Sequence, residues 1–147
     1  MNKIIVVDDH LLFRESIKLL IETENLGVVI GEAANGLQLL DLLQTLTPDL
    51  VIMDIEMPVM NGLEATEKAL VLFPDLQILM LTMFSETAVY KKIFQTGARG
   101  CVFKTSGKSA FEKAISAVAN HQYFFPENIL QQLINGASKP QPTLILQ

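Results

Sequence analysis

Short aliphatic runs alternate along this chain with stretches of helical period, and that alternation constrains the fold more than any other feature. The runs are Ile4–Val7, Val28–Ile30, Leu50–Met53, Ile78–Leu81 and Cys101–Phe103. Each is too short for a helix, and most are rich in β-branched residues, so they read as strands. Between them the apolar residues recur at helical spacing. Phe13, Ile17, Leu20 and Ile21 form one such set, and Leu39, Leu43 and Leu46 another. Ala65, Ala69, Leu72 and Phe73 form a third, and Phe111, Ile115, Val118 and Ala119 a fourth. Turn residues separate the segments at Asn35-Gly36, Thr47-Pro48-Asp49, Asn61-Gly62, Phe73-Pro74-Asp75 and Gly97 to Gly100. Ser85 with Glu86 reads as an N-cap followed by an acidic first turn. Strands that are apolar without alternation are buried on both faces, which argues an α/β fold with a parallel sheet and helices on each side.

This alternation runs to about residue 120. Beyond His121 come three consecutive aromatics, Tyr123, Phe124 and Phe125, and then Pro126 at an expected first helical position. Ile129, Leu130, Leu133 and Ile134 predict one short amphipathic helix, closed by Asn135-Gly136. Residues Ala137–Thr143 carry two prolines and read as a linker into Leu144-Ile145-Leu146. The expected division is a domain over 1–120 and a tail over 121–147, the latter either loose or leading to a further domain.

Composition removes several function classes. Half of the 147 residues are apolar and 18% are charged, enough to fill a core. The net charge is −5, which opposes direct phosphate contacts to nucleic acid. The single cysteine, Cys101, excludes an internal disulfide or a multi-cysteine zinc site and fits a reducing compartment. The N-terminal apolar run is too short for a signal peptide. No apolar run reaches the length of a membrane span, so a cytoplasmic protein is expected.

Chemistry gathers where an open parallel sheet places sites, at the carboxyl ends of its strands. Asp8 and Asp9 follow the first strand, Asp54 the third, Thr82 the fourth and Lys104 the fifth. Each alone is ordinary, since a strand-end Asp is usually a cap and a lone Lys a surface residue. Together they are complementary. Three converging carboxylates repel unless a cation lies among them, and an all-oxygen, partly hydrated site suits Mg²⁺. An anion arriving at Asp54 would meet metal, ammonium and hydroxyl together, an arrangement that fits phosphoryl transfer onto the Asp54 carboxylate.

At these residues the sequence resembles the receiver domain of two-component response regulators. The matching pieces are VVDDH at 6–10, DLVIMDIEMPVMNG at 49–62, LT at 81–82 and GARGCVFK at 97–104, in order and at the right spacing. The resemblance implies a doubly wound (βα)₅ fold with strand order 2-1-3-4-5. It implies that Asp54 accepts a phosphoryl group from a sensor histidine kinase, with slow self-dephosphorylation and no turnover of an external substrate. Asp9, Asp54 and the backbone carbonyl of Glu56 would ligate Mg²⁺, with Asp8 acting through water. Lys104 would pair with the phosphoryl group and Thr82 would move toward it as the switch. Thr105-Ser106-Gly107 after Lys104, and the aromatic segment with its short helix, resemble the NarL/LuxR subfamily. Those regulators carry a C-terminal helix-turn-helix, for which the 11 residues after Gly136 leave no room. Any contact with DNA is therefore expected through an output domain absent from this chain; a stand-alone receiver acting by protein–protein contact is the alternative.

The sequence departs from the family at Cys101, where Tyr or Phe is usual. Cysteine is too small to rotate in concert with Thr82, and it reads most simply as a small residue filling the core. The expected output face joins Tyr90 and Phe94 on the fourth helix to Cys101 and Phe103 on the fifth strand, beside the fifth helix. It is either a docking or homodimerisation surface, or it is covered by Tyr123–Phe125 and the short helix. His10 reads as a surface residue opening the first helix rather than as a donor to an incoming phosphoryl group, and Met53, Met57 and Met60 read as packing. Two rival classes fit poorly. An aspartyl-phosphate phosphatase wants its nucleophile after the first strand in an Asp-x-Asp setting. A flavodoxin-like cofactor binder wants a Ser/Thr/Gly loop there, and Asp8-Asp9 would repel the phosphate.

Overall fold

The structure, a computed structural model, describes residues 1–138. The elements run β1 (Lys3–Val7), α1 (Leu11–Thr23), β2 (Val28–Ala33), α2 (Gly36–Leu42), β3 (Leu50–Asp54), α3 (Gly62–Leu72), β4 (Gln77–Thr82), α4 (Thr87–Gln95), β5 (Gly100–Phe103), α5 (Lys108–Ala119) and α6 (Glu127–Ser138). The five strands pair in the order β2-β1-β3-β4-β5, all parallel. The doubly wound α/β expectation holds, strand order included.

Strand alternation divides the interior into two layers. Ile5, Val7, Val51, Met53, Ile78, Met80 and Cys101 point to one face, where α2, α3 and α4 cover them. Ile4, Val6, Leu50, Ile52, Leu79, Leu81 and Val102 point to the other, under α1 and α5. The central strands are therefore apolar at every position between their ends. Met53 and Met57 are buried and Met60 packs against the first layer, as packing residues should.

Several local expectations need correction. β2 runs three residues past Ile30, to Ala33, because an edge strand tolerates Gly31 and Glu32; Glu32 pairs with Arg14 and Lys18 of α1. α2 stops at Leu42, and Leu46 reaches the core from the following turn. Leu72 and Phe73 are exposed, because α3 ends against Pro74 beyond the sheet. Ser85 is not the N-cap of α4. Glu86 occupies that position without a side-chain cap, and the first turn holds no acid. Pro126 precedes α6 and accepts its first amide bonds from Ile129 and Leu130. Asn135-Gly136 does not close α6, which continues to Ser138. The linker expected from Ala137 therefore starts too early, since Ala137 and Ser138 belong to α6, and the rest of it with Leu144-Ile145-Leu146 lies outside the described residues.

The segment after His121 folds back onto the sheet. Cys101 N–H donates to Phe124 O (2.8 Å) and Phe124 N–H to Arg99 O (2.9 Å), so the aromatic run docks along the outer edge of β5. Phe125, Ile129 and Leu133 are buried in the layer that holds Tyr90 and Ile93. Among the described residues no helix is long and apolar enough to cross a membrane.

Candidate functional site

The ends of β1, β3, β4 and β5 deliver the five expected side chains to one rim. A depression of about 370 Å³ opens there, lined by Asp9, Asp54, Glu56, Thr82 and Lys104 among others. A larger groove, about 950 Å³, lies at the opposite end between Met1, Leu46, Phe73 and His121. The acidic cluster is not there, so size does not mark the site.

β1 ends in a sharp turn that separates its two aspartates. Asp8 is fully buried and Asp9 is exposed. Asp8 Oδ1 accepts the His10 backbone N–H at 2.8 Å, which directs the carboxylate inward. Arg14 fixes the same turn, donating to the Asp8 carbonyl (2.6 Å) and to Glu32 (2.9 Å). Lys18 and Arg14 hold the Glu32 carboxyl below its ordinary pKa, the Lys18 hydrogen bond contributing most. Arg14 carries no sequence signal beyond lying one turn into α1.

Asp54 ends β3 and is 4% exposed. The loop after it is tight. Gly62 N–H donates to Ile55 O (2.7 Å), and Met60 N–H donates to Pro58 O (2.7 Å) across Val59, whose φ is +71°. A three-residue turn of that kind is strained for a β-branched residue. Gly62 begins α3 against the Asp54 carbonyl, where a Cβ would collide with backbone.

Lys104 reaches into the carboxylates. Its Nζ lies 2.8 Å from Asp8 Oδ2 and 3.5 Å from Asp54 Oδ2, with 8% of the side chain exposed. The contact to Asp8 is a close ion pair between buried groups. His10 is drawn in as well. Its Nδ1 lies 3.1 Å from Asp8 Oδ1 and 3.2 Å from Lys104 Nζ, although the ring is largely exposed. His10 thus caps α1 as a surface residue but also touches the cluster, a role its sequence position does not reveal. Thr82 is buried, and its hydroxyl accepts the Phe84 N–H at 2.9 Å, turned toward its own loop.

Asp54 has a pKa pushed up to about 6, first by burial and then by the Asp8 charge, with Lys104 opposing. Three carboxylates and one ammonium leave a formal surplus of two negative charges (3 − 1 = 2). Ligand atoms of Asp8, Asp9, His10 and Asp54 lie within 4.8 Å of one another. A divalent cation would neutralise that surplus, with Asp8 reaching it through water. The oxygen-rich donor set fits a hard ion that keeps part of its hydration.

The expected output face is present in geometry and covered. Tyr90 is buried and meets Phe103 at 6.2 Å; Phe94 packs on Tyr123 (5.5 Å) and Phe125 (5.8 Å). Cys101 is buried beneath them, its thiol pushed up to about 12 by desolvation, which leaves no reactive thiolate. Of the two expectations for this face, the covering by residues 123–125 and the following helix describes the structure.

Comparison with known proteins places the chain in a family. Residues 4–116 match the family model described as response regulator receiver domain. The chain is 40% identical over 134 residues to the transcriptional regulatory protein YdfI of Bacillus subtilis, covering 90% of this chain and 62% of that protein. It is 39% identical over 142 residues to the response regulator GacA of Pseudomonas aeruginosa, covering 96% and 66%. It thus spans less than two thirds of the length of these relatives. A LuxR-family two-component response regulator from Aurantimonas superposes with a TM-score of 0.83 at 32% identity, over 95% of this chain and 99% of that one. The isolated receiver domain of RcsB from Salmonella enterica, solved with the phosphomimetic BeF3-, gives 0.79 at 26% identity, over 90% and 98%.

Proposed function

Given that this chain belongs to the response regulator receiver domain family, we propose that it is a switch set by a phosphoryl group on Asp54. One observation carries this reading: a buried carboxylate, at a strand end beside a lysine and two further aspartates, in a depression open to solvent. An Asp54 Oδ atom attacks phosphorus in line, the O–P bond forms, and the bond to the donor breaks. A histidine-kinase phosphohistidine fits as donor, its imidazole leaving with a proton from solvent. Lys104 meets the phosphoryl oxygens, and Thr82 turns from Phe84 to donate its hydroxyl to one of them.

Mg²⁺ would be held by Asp9, Asp54 and the Glu56 carbonyl, with Asp8 behind a water, and would supply the charge neutralisation that lets two anions meet. The pKa of about 6 leaves Asp54 mostly ionised, hence nucleophilic, near pH 7.5. The phosphoryl group adds roughly −1.5 to −2 charges beside β4 and α4. In this reading the α4–β5–α5 face changes shape in response, in the cytoplasm where the kinase draws on ATP. Its relatives' names favour control of transcription. In this reading that control runs through a DNA-binding unit following a receiver over 1–120, with two copies pairing.

The test is intact-mass spectrometry after treatment with acetyl phosphate. Wild type should gain one phosphoryl group with Mg²⁺ and none with a chelator, and Asp54→Asn should gain none. Undiminished modification of Asp54→Asn would overturn the assignment.

A further inference from the structure

Lys104 is held from several sides, and one of them is an aromatic ring with no part in the chemistry above. Its Nζ lies 4.5 Å from the centre of the Phe13 ring, within the range of a cation–π contact. Phe13 sits on α1, one turn after His10, and is itself steadied by Phe111 of α5 at 6.2 Å. The ring therefore spans α1 and α5 beneath the loop that carries Lys104. Asp8, Asp54 and His10 hold the ammonium by charge and hydrogen bonding. Phe13 holds it by its face, which attracts a cation without occupying an N–H donor.

We propose that Phe13 is a positioning residue for phosphoryl transfer, which fixes the Lys104 ammonium over the depression before the phosphoryl group arrives. The inference rests on Lys104 as the group that meets the phosphoryl oxygens. A free lysine has a four-carbon stem and a strongly hydrated head, and ordering both is costly. Against the Phe13 ring the stem has few rotamers open to it, and one side of the head is shielded from water. The ammonium then lies 2.8 Å from Asp8 Oδ2 and 3.5 Å from Asp54 Oδ2. In helical period alone Phe13 is indistinguishable from Ile17 and Leu20, which only fill the core.

The experiment uses the full chain with Phe13→Leu, which keeps apolar bulk and removes the π face, and Phe13→Tyr, which keeps the face. Three quantities are read: the NMR shift of the Lys104 ε-methylene protons, the rate of phosphorylation by acetyl phosphate, and the affinity for Mg²⁺ alone. Wild type should show an upfield ring-current shift at Lys104. Phe13→Leu should lose it and react about fivefold more slowly, with Mg²⁺ affinity unchanged because the carboxylates are untouched. Phe13→Tyr should restore both shift and rate. A Phe13→Leu protein reacting at the wild-type rate would overturn the proposal. So would failure of Phe13→Tyr to restore the rate, or absence of the shift in wild type, which needs no variant to fold. If wild type takes up no phosphoryl group while the shift is present, the phosphoacceptor reading itself falls and takes this role with it.

Discussion

At Asp54 two demands conflict. The proposed phosphoacceptor must be ionised to attack, yet the fold buries it beside another carboxylate, and its pKa rises from 3.8 to about 6. The folded chain thus binds this proton more tightly than the unfolded chain. Its contribution to stability is fully present below about pH 4 and is lost as pH rises through 6, so that at pH 7 the buried charge costs on the order of 3 kcal/mol. Asp54→Asn removes the charge and keeps the shape. In a chelating buffer at pH 7 the variant should be more stable than wild type by about 1–3 kcal/mol. The gap should close at pH 4, and Mg²⁺ should narrow it at pH 7. Urea denaturation of both proteins across that range checks this, and equal stability at pH 7 would contradict it. The polar residues of the site were legible because each stops an apolar run at the strand end where such folds place chemistry. His10, Phe13 and Arg14 were not, because their roles depend on distances across α1 that no local pattern encodes.

The elements were legible wherever burial is two-sided. β1, β3 and β4 are apolar except at their ends, and their limits agree with the sequence reading to within a residue. The edge strand β2 was read short because Gly31 and Glu32 interrupt its apolar run. α6 shows the limit of periodicity more sharply. Its apolar stripe at Ile129 and Leu133 has the same spacing whether it faces a partner or its own chain. The deciding fact is Phe125, which meets Phe94 edge-on at 5.8 Å and anchors the helix on α4. Phe125→Ala should cost about 3 kcal/mol and raise amide exchange in α6 and α4, while α1 and α5 on the opposite face stay protected. Chemical denaturation with hydrogen exchange measures both; unchanged exchange in α4 would show that α6 does not rest on it through this ring.

On the scale of the whole molecule, the proposed phosphorylation site and the proposed output face meet on neighbouring elements. The carboxyl ends of the strands gather Asp8, Asp9, Asp54, Thr82 and Lys104, and the β4–α4 connection leads from Thr82 directly into the helix that α6 covers. With Cys101 where the family usually has Tyr or Phe, the proposed signal would travel by a shift of α4 as a unit, and the Tyr90–Phe103 and Phe94–Phe125 contacts would carry it to α6. All of this depends on the phosphoryl group residing on Asp54. An aspartyl phosphate is an acyl phosphate, which borohydride reduces to homoserine with release of phosphate, so the modified position is marked in the chain. After acetyl phosphate with Mg²⁺ and then borohydride, peptide mass mapping should find homoserine at position 54, and none when the metal is chelated. Homoserine at position 8 or 9, or an unmodified position 54 under the same conditions, would contradict the account.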